Sequence, residues 1–282
     1  MSDPSGFDGW CRLIQSRPPY ITHERPLAYG HRGAAGIAPE NTLASFKLAL
    51  DAGVDGIELD IHPTREDVPV VFHDSTLERC TNGTGAVRAL PLAALQELDA
   101  GHGFTPDDGK LHPYRGKGER IPTLEQVFEL AGTARINIDF KDISPAMADR
   151  VEALIERFGA RDRVLVCSSD DRLVGAVRRR FPTLPTSACT PEVTKLVLSG
   201  FLGLGRFFVP SVCALQIPTA QWGIPVLTRR LVDTAHAGGL DVHVWTINDA
   251  PEMRRCLALG VDGVMSDFPA ELVRVMRDCG VR

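Results

Sequence analysis

The sequence predicts a single (β/α)8 TIM barrel. Three observations support this fold class: the chain has 282 residues, strand and helix patterns alternate along most of it, and polar residues recur where the predicted strands end. Barrels of this class typically have about 250 residues, and alternating strands and helices indicate a parallel sheet covered by helices. A doubly wound open sheet would show the same alternation and is the alternative fold.

The first strands are marked by turn and cap residues. A short apolar strand at 27–31 ends in a glycine-bearing turn, and Asn41 or Thr42 caps a helix whose apolar residues recur at helical spacing. Residues 56–62 and 68–72 read as two strands around a polar turn, so they predict a hairpin.

Residues 75–120 interrupt the alternation after this hairpin. They are rich in Gly, Thr, Asp and Pro, with one helical patch at 91–98, and long loops inside compact domains are usually functional. We therefore expect an N-terminal extension over 1–26 and one barrel domain over 27–282, with 75–120 as a small insertion.

After residue 122 the alternation is regular. The predicted strands are 135–140, 163–168, 185–189, 206–210, 241–246 and 263–266. The predicted helices are 123–131, 145–158, 171–180, 191–199, 228–237 and 251–259. If the second strand of the hairpin does not belong to the barrel wall, eight strands remain for the barrel, and most of them are followed by a helix.

Composition and charge exclude several classes of protein. Apolar residues make up 44% of the chain, which suits a sizeable core, and a net charge of −5 without a basic stripe argues against nucleic acid as a partner. No stretch of about 20 apolar residues predicts a transmembrane helix, and residues 1–20 lack the apolar run of a secretory signal. Seven cysteines without CxxC spacing indicate reduced thiols, so we expect a cytoplasmic protein. No pattern indicates its oligomeric state.

Three carboxylates follow predicted strands and are candidate metal ligands. Glu58 and Asp60 are two residues apart on one strand, so both can point into the barrel mouth; Asp139 ends the next core strand. Converging carboxylates repel one another unless a cation lies between them. Ligation by oxygen alone favours Mg²⁺ or Ca²⁺ over zinc, with Mn²⁺ as a further candidate. An ordinary ion pair between Asp139 and Lys141 is the alternative.

His31 and His73 flank this carboxylate cluster in the sequence. Because the ordinary pKa of histidine is near 6.5, the two could serve as acid and base at neutral pH, although a histidine is also a common structural hydrogen-bonding residue. Arg32 offers a planar pair of donors to a phosphate. A cation site, a phosphate donor and two proton-transfer groups together indicate phosphate ester chemistry.

An ordered set of motifs resembles one known family. The motifs are His31-Arg32-Gly33, Pro39-Glu40-Asn41-Thr42, Glu58-Leu59-Asp60, Val70-Val71-Phe72-His73-Asp74, Arg79-Cys80-Thr81, Ile121-Pro122-Thr123-Leu124, Asn137-Ile138-Asp139-Phe140-Lys141, Val244-Trp245-Thr246-Ile247-Asn248 and Gly260-Val261-Asp262-Gly263-Val264-Met265-Ser266-Asp267-Phe268-Pro269. Over about residues 27–272 the chain resembles the glycerophosphodiester phosphodiesterases.

The resemblance implies a (β/α)8 barrel that cleaves glycerophosphodiesters to sn-glycerol 3-phosphate and an alcohol, with one bound divalent cation. It assigns metal binding to Glu58, Asp60 and Asp139, acid/base catalysis to His31 and His73, phosphate contact to Arg32 and Lys141, support of the site to Glu40 and the glycerol-side wall to Trp245. Which histidine is the base and which the acid stays open.

One departure and two alternatives accompany the resemblance. The third carboxylate of the family is usually glutamate, whereas this chain has Asp139, one methylene shorter. A lysophospholipase D would act on a substrate that keeps an acyl chain, which the apolar residues 196–208 could line, although the same run could be a buried helix and strand. The second alternative is a non-catalytic barrel that binds a phosphate metabolite.

Overall fold

The computed structural model describes Tyr20 and residues 25–168, 170–201, 205–210 and 212–282. The prediction that no secretory signal precedes the barrel falls almost wholly outside these residues. Within them, no helix combines the length and the apolar character needed to cross a membrane.

Parallel strands form the wall of a closed barrel. The strands are β1 Leu27–Gly30, β2 Gly56–Pro63, β3 Pro69–Val71, β4 Arg135–Phe140, β5 Val164–Cys167, β6 Ala214–Ile217, β7 Ala220–Gln221, β8 Ile224–Pro225, β9 Asp241–Val244 and β10 Gly263–Ser266. Seven of these, in the order β5-β4-β2-β1-β10-β9-β6, form the sheet path. Parallel bridges from Thr186 to β5 and from Ser187 to β6 close the ring. The bridging segment Thr186–Ser187 therefore completes the set of eight staves, where a stave is one of the eight parallel segments of the barrel wall, counted in chain order.

Helices cover the outside of this ring, with one exception. The helices are α1 Leu43–Asp51, α2 Leu92–Gln96, α3 Leu124–Ala131, α4 Pro145–Arg157, α5 Asp171–Arg180, α6 Thr190–Phe201, α7 Arg229–Ala237, α8 Ala250–Ala258 and α9 Pro269–Asp278. The exception is α2, which belongs to the segment 75–120. Short polar side chains start several of them: Thr42 accepts a hydrogen bond from the Ser45 amide at α1, and Thr123 forms a capping box with Gln126 at α3. The predicted (β/α)8 fold is confirmed.

The predicted strand at 206–210 is wrong. Gly205–Phe207 is a 3₁₀ turn, and the sixth parallel strand is Ala214–Ile217, which pairs with β9 along its whole length. The apolar run at 206–210 looks like a strand locally, but strand pairing is decided by the neighbouring stave. The final helix Pro269–Asp278 and the hairpin β7–β8 were not predicted. The other predicted elements end within two residues of the observed ones.

Side-chain alternation along the strands separates two environments. On β2, Ile57, Leu59 and Ile61 point outward and belong to the core between sheet and helices. Glu58 and Asp60 therefore point into the barrel. The same alternation on β4 directs Asn137 and Asp139 inward while Ile136, Ile138 and Phe140 pack outward. The fold thus concentrates polar groups inside the ring.

Tyr20 lies inside the barrel towards its floor. The residue is fully buried against Leu165 and Ala214. Its hydroxyl lies 2.8 Å from the Tyr29 hydroxyl and donates a hydrogen bond to Asn137. The first strand residue of β4, Arg135, places its guanidinium 5.0 Å from the centre of the Tyr20 ring. A residue of the sequence-predicted extension thus forms part of the barrel interior.

Residues 75–120 form a separate small core beside the β2–β3 hairpin. Within it, α2 and a 3₁₀ turn at Val87–Ala89 are joined by turns. The buried apolar residues of this core are Val70, Phe72, Leu77, Val87, Leu95, Ala100 and Ile121. The insertion is therefore anchored on β3, which places its first residues next to His73.

Candidate active site at the barrel mouth

The carboxyl ends of the parallel strands meet at one end of the ring, which is where active sites of such barrels lie. A cavity of about 620 Å³ opens there. Among its lining residues are the predicted site residues His31, Arg32, Glu58, Asp60, His73, Asp139, Lys141 and Trp245. The fold thus brings together residues that are up to 214 positions apart in the chain.

A tight turn after β1 aims Arg32 at this cavity. Arg32 has φ +49° and Gly33 φ +88°, a left-handed pair that reverses the chain directly after the strand. A Cβ at Gly33 would lie 2.6 Å from the backbone of Ser45, so only glycine fits there. The turned backbone amide of Arg32 donates a hydrogen bond to Glu58 at 3.0 Å.

Glu58, Asp60 and Asp139 converge as predicted. One oxygen from each lies within 4.8 Å of the others. Asp60 is held by the Asn41 side-chain amide at 2.8 Å, whereas Oδ1 of Asp139 is buried without a hydrogen-bond partner. An unpaired buried carboxylate oxygen aimed into such a cluster fits a site for a cation.

The pKa values of these groups reflect burial and mutual repulsion. Burial, with the charge of Asp60 added, raises the pKa of Glu58 to about 7. Burial also raises the pKa of Asp139 to about 6, partly opposed by Lys141. For Asp60 the burial effect is outweighed by Lys141 and Arg32, and its pKa is lowered. Burial is therefore the main reason that the charged forms of Glu58 and Asp139 are disfavoured, and the charge of Asp60 adds to it.

Two basic side chains border the carboxylates. The Lys141 ammonium lies 2.9 Å from Asp60 and 2.6 Å from Asp139. The Arg32 guanidinium lies 3.3 Å from Asp60 and donates to Glu40 at 2.9 Å. Glu40 therefore orients Arg32 without facing the carboxylate cluster itself. Asp139 and Lys141 do form the ion pair that the sequence left open, but within a larger group of charges.

His31 is paired with a carboxylate that sequence reasoning did not assign. Its Nδ1 lies 2.7 Å from Asp267, and its Nε2 lies 3.9 Å from Glu58. Burial disfavours the imidazolium, but the hydrogen bond to Asp267 and the charge of Glu58 outweigh it, so the pKa of His31 is raised. Asp267, whose pKa is lowered, is ionised and can only accept, so Nδ1 of His31 donates and Nε2 faces the cluster.

His73 has the same arrangement on the other side of the mouth. Its Nδ1 lies 2.7 Å from Asp74, whose pKa is lowered chiefly by a hydrogen bond from Arg79. Arg79 also donates two hydrogen bonds of 2.7 Å to Glu40. The Arg79 guanidinium therefore connects Asp74, the partner of His73, with Glu40, the partner of Arg32.

The supporting residues Asp267, Asp74 and Arg79 were quoted within motifs but given no role. Asp267 directly follows a strand, so the strand-end rule could have identified it. Arg79 lies in the insertion, and no local pattern shows which carboxylates it reaches. The cavity residue Gln216 was missed because its strand was predicted eight residues too early.

Fold and site together define an α/β barrel protein whose mouth holds an acidic cluster, two cationic side chains and two imidazoles paired with aspartates. A family model described as the glycerophosphoryl diester phosphodiesterase family matches residues 31–271. The chain belongs to this family.

Three known proteins illustrate the similarity. A glycerophosphodiester phosphodiesterase from Caldanaerobacter subterraneus is 31% identical, over 91% of this chain and 100% of its own length. Human lysophospholipase D GDPD1 is 30% identical, over 86% of this chain and 83% of its own. A phosphodiesterase from Oleispira antarctica, solved in complex with the product sn-glycerol-3-phosphate, has a TM-score of 0.73 and 25% identity, with 90% of this chain and 97% of that one covered.

Proposed function

We propose that the chain is a divalent-cation-dependent phosphodiesterase that hydrolyses glycerophosphodiesters to sn-glycerol 3-phosphate and an alcohol. The observation that carries the proposal is the convergence, in one barrel mouth, of the Glu58, Asp60 and Asp139 oxygens within 4.8 Å of one another, beside His31 and near His73. Family membership and the product complex of the Oleispira relative support the substrate class.

Glu58, Asp60 and Asp139 would hold the cation. Their donor set consists of carboxylate oxygens, which suits Mg²⁺, Ca²⁺ or Mn²⁺. A divalent cation bound there would offset charge on the phosphate and on the hydroxyl under attack. The raised pKa values of Glu58 and Asp139 support this assignment, because a bound cation favours the ionised carboxylates, which burial disfavours.

Arg32 and Lys141 would bind the phosphate oxygens. Both are fixed by carboxylates, Arg32 by Glu40 and Lys141 by Asp139, so their positive charges are oriented before the substrate arrives. A phosphodiester gains negative charge as it is attacked, and preorganised cations stabilise that charge without reorganising. Trp245 would form the apolar wall beside the glycerol.

His31 and His73 would carry the protons. Each pairs its Nδ1 with an ionised aspartate, which leaves Nε2 to exchange a proton, and both residues line the mouth cavity. One can accept the proton of the attacking glycerol hydroxyl while the other gives a proton to the leaving alcohol, and water then completes the hydrolysis as the roles exchange. The symmetry of the two imidazole–aspartate pairs gives no preference for which acts first.

Glycerophosphocholine hydrolysis by the purified chain tests the proposal. We expect turnover that EDTA abolishes and that Mg²⁺, Ca²⁺ or Mn²⁺ restores, because the acidic cluster needs its cation. His31→Gln and His73→Gln should each lower kcat by about 10²–10⁴-fold, the usual contribution of a general acid or base. The assay measures both products, sn-glycerol 3-phosphate and the released alcohol.

His236→Gln is the matched control, since His236 also pairs with an aspartate, Asp262 at 2.7 Å, but does not line the mouth cavity. It should leave kcat within about twofold. No turnover with any cation would favour the non-catalytic phosphate-binding barrel. Full activity in both site variants would exclude histidine acid/base catalysis.

A further inference from the structure

The barrel mouth has two halves of opposite chemistry. Apart from Asp267, which follows β10, the charged residues described above come from β1, β2 and β4 and the loops after them. In a ring of eight staves, the bridging segment Thr186–Ser187 lies across from β1, and β6 lies across from β2. The elements that follow those two staves, helix α6 and the hairpin β7–β8, line the other half of the cavity, and that half is mostly apolar.

Helix α6 turns a stripe of its surface to the cavity. The lining residues of this face are Thr190, Val193, Thr194, Val197 and Leu198. Their spacing of three and four places them on one side of the helix, while Leu196 is buried on the other. Leu198 is 60% exposed. An apolar stripe normally faces the core, so one that faces an open cavity indicates a surface for an apolar ligand.

The hairpin β7–β8 adds a tryptophan at an unfavourable backbone position. Trp222 and Gly223 form a two-residue turn with φ +51° and +77°, and the first position of such a turn favours Asn, Asp or Gly. Trp222 is 91% exposed, yet it lines the cavity together with Ile224. The turn itself has no need of an indole, so a contact outside the hairpin is the physical reason to place one there.

A second, smaller cavity adjoins the apolar half of the mouth. This cavity of about 50 Å³ lies between α6 and the start of α7, and it shares the lining residues Val197 and Val226 with the mouth cavity. The ten non-hydrogen atoms of glycerol phosphate, each filling about the 30 Å³ of a water molecule, need only about 300 Å³. The mouth cavity of about 620 Å³ has room for a further group.

We propose that the groove formed by the α6 stripe, Trp222 and Ile224 binds a single acyl chain carried by the glycerophosphodiester. The inference rests on the proposed phosphodiesterase function, because the groove and the phosphate site share one cavity. Hydrolysis would still break the bond between phosphorus and the leaving alcohol: water supplies a hydroxyl to phosphorus and a proton to the alcohol, and the acyl group stays intact. A 1-acyl glycerophosphodiester keeps its 2-hydroxyl free for the same attack.

The acyl chain can be attached at either end of the diester, and two substrates distinguish these sources. One is 1-octanoyl lysophosphatidylcholine, with the chain on glycerol, and the other is glycerophospho-N-octanoylethanolamine, with the chain on the leaving alcohol. Both are used as monomers and compared with the glycerophosphodiesters that lack the chain. We expect kcat/KM to rise at least tenfold in one arm, since each buried methylene can contribute up to about fourfold.

Trp222→Asn and Leu198→Gln, combined in one protein, test the groove. Both sites are exposed and Asn suits the turn, so folding should be preserved. The ratio of kcat/KM for acylated over non-acylated substrate should fall at least tenfold. Leu111→Gln is the matched control, because Leu111 is 61% exposed but lies in the insertion, away from the mouth cavity, and it should leave the ratio unchanged.

A binding measurement on catalytically impaired protein tests the acyl groove independently of the proposed phosphodiesterase activity. In a His31→Gln, His73→Gln background, calorimetry should show tighter binding of the octanoyl substrate than of its non-acylated counterpart, and the groove substitutions should remove the difference. Absence of turnover in wild type together with this binding pattern would overturn the proposed function alone. A ratio of acylated to non-acylated kcat/KM near one for both substrates, or a raised ratio that the groove substitutions leave unchanged, would overturn the acyl groove. Trp222-dependent binding to phosphatidylcholine vesicles, without any chain-length effect on monomers, would assign this rim to membrane docking instead.

Discussion

At the residue scale, Asp139 is the position that decides how the mouth is charged. Its ionised form is disfavoured by burial, one of its oxygens pairs with Lys141 and the other has no hydrogen-bond partner. The resemblance to the family motif implies the longer glutamate at this point of the chain. A side chain one methylene shorter changes how far its oxygens reach from β4, while its charge stays the same.

Asp139→Asn should raise the cation concentration for half-maximal activity at least tenfold, because a neutral amide binds a divalent cation less well than a carboxylate. Asp139→Glu should keep activity but shift the preference among Mg²⁺, Ca²⁺ and Mn²⁺. Cation titrations of activity and calorimetry of cation binding check both. Asp142→Asn is the control, since Asp142 pairs with Arg88 and lies outside the cluster. An unchanged cation requirement in Asp139→Asn would show that this residue is not a ligand.

Much of the site could be predicted from the sequence, because strand alternation and motif order fix which residues point into the mouth. Glu58, Asp60 and the two histidines follow from that rule. The partners of those residues could not be predicted. Arg79 reaches Glu40 from 39 positions away, and only the packing of the insertion on β3 brings the two together.

At the element scale, the boundaries of helices and strands follow from caps, glycines and apolar spacing, and most were predicted within two residues. The sixth strand was not. The run at 206–210 has the apolar character of a strand, whereas Ala214–Ile217 is short and contains Gln216. Four ladder positions with β9 select the second segment, and such pairing is a tertiary effect that overrides local preference.

Tyr20 precedes β1 in the chain and fills part of the barrel interior, so its side chain contributes to the stability of the barrel strands. Tyr20→Ala should destabilise the fold by about 3–5 kcal/mol, the usual cost of removing a buried aromatic ring, and lower Tm by roughly 10 °C. Tyr20→Phe should cost less, since it keeps the ring and loses only the hydroxyl contacts to Tyr29 and Asn137.

Thermal unfolding followed by circular dichroism measures these changes. Tyr114→Ala, which removes a half-buried ring from the insertion, is the comparison and should have the smaller effect. If Tyr20→Ala melts like wild type, the residue does not contribute to the barrel interior in solution.

At the scale of the whole molecule, the closed ring buries several carboxylates side by side and so makes stability depend on pH. The pKa values of Glu58 and Asp139 in the folded protein are about 7 and about 6, against ordinary values near 4. The folded state therefore holds more protons than the unfolded state between these limits. The stability associated with the protonated carboxylates is lost as the pH rises through 6 and 7. The raised pKa of His31 acts in the same direction.

In EDTA, Tm should fall by roughly 5 °C between pH 5 and pH 7.5, which corresponds to a loss on the order of 2 kcal/mol. Saturating Mg²⁺ or Ca²⁺ should remove the fall, because bound cation favours the ionised carboxylates. Glu58→Gln should reduce the fall in EDTA. A wild-type Tm that stays level or rises over this range without cation would contradict the charge repulsion described here.

The division of the barrel mouth into a charged half and an apolar half has a consequence for evolution. The residues proposed to break the bond lie on or after staves one to three, with only the supporting Asp267 after stave eight. The surfaces on α6 and β7–β8 follow staves five and six, so each group can mutate with little penalty to the other. Descendants or engineered versions of this barrel could acquire new leaving groups by exchanging one helix and one hairpin, with the hydrolytic machinery inherited unaltered.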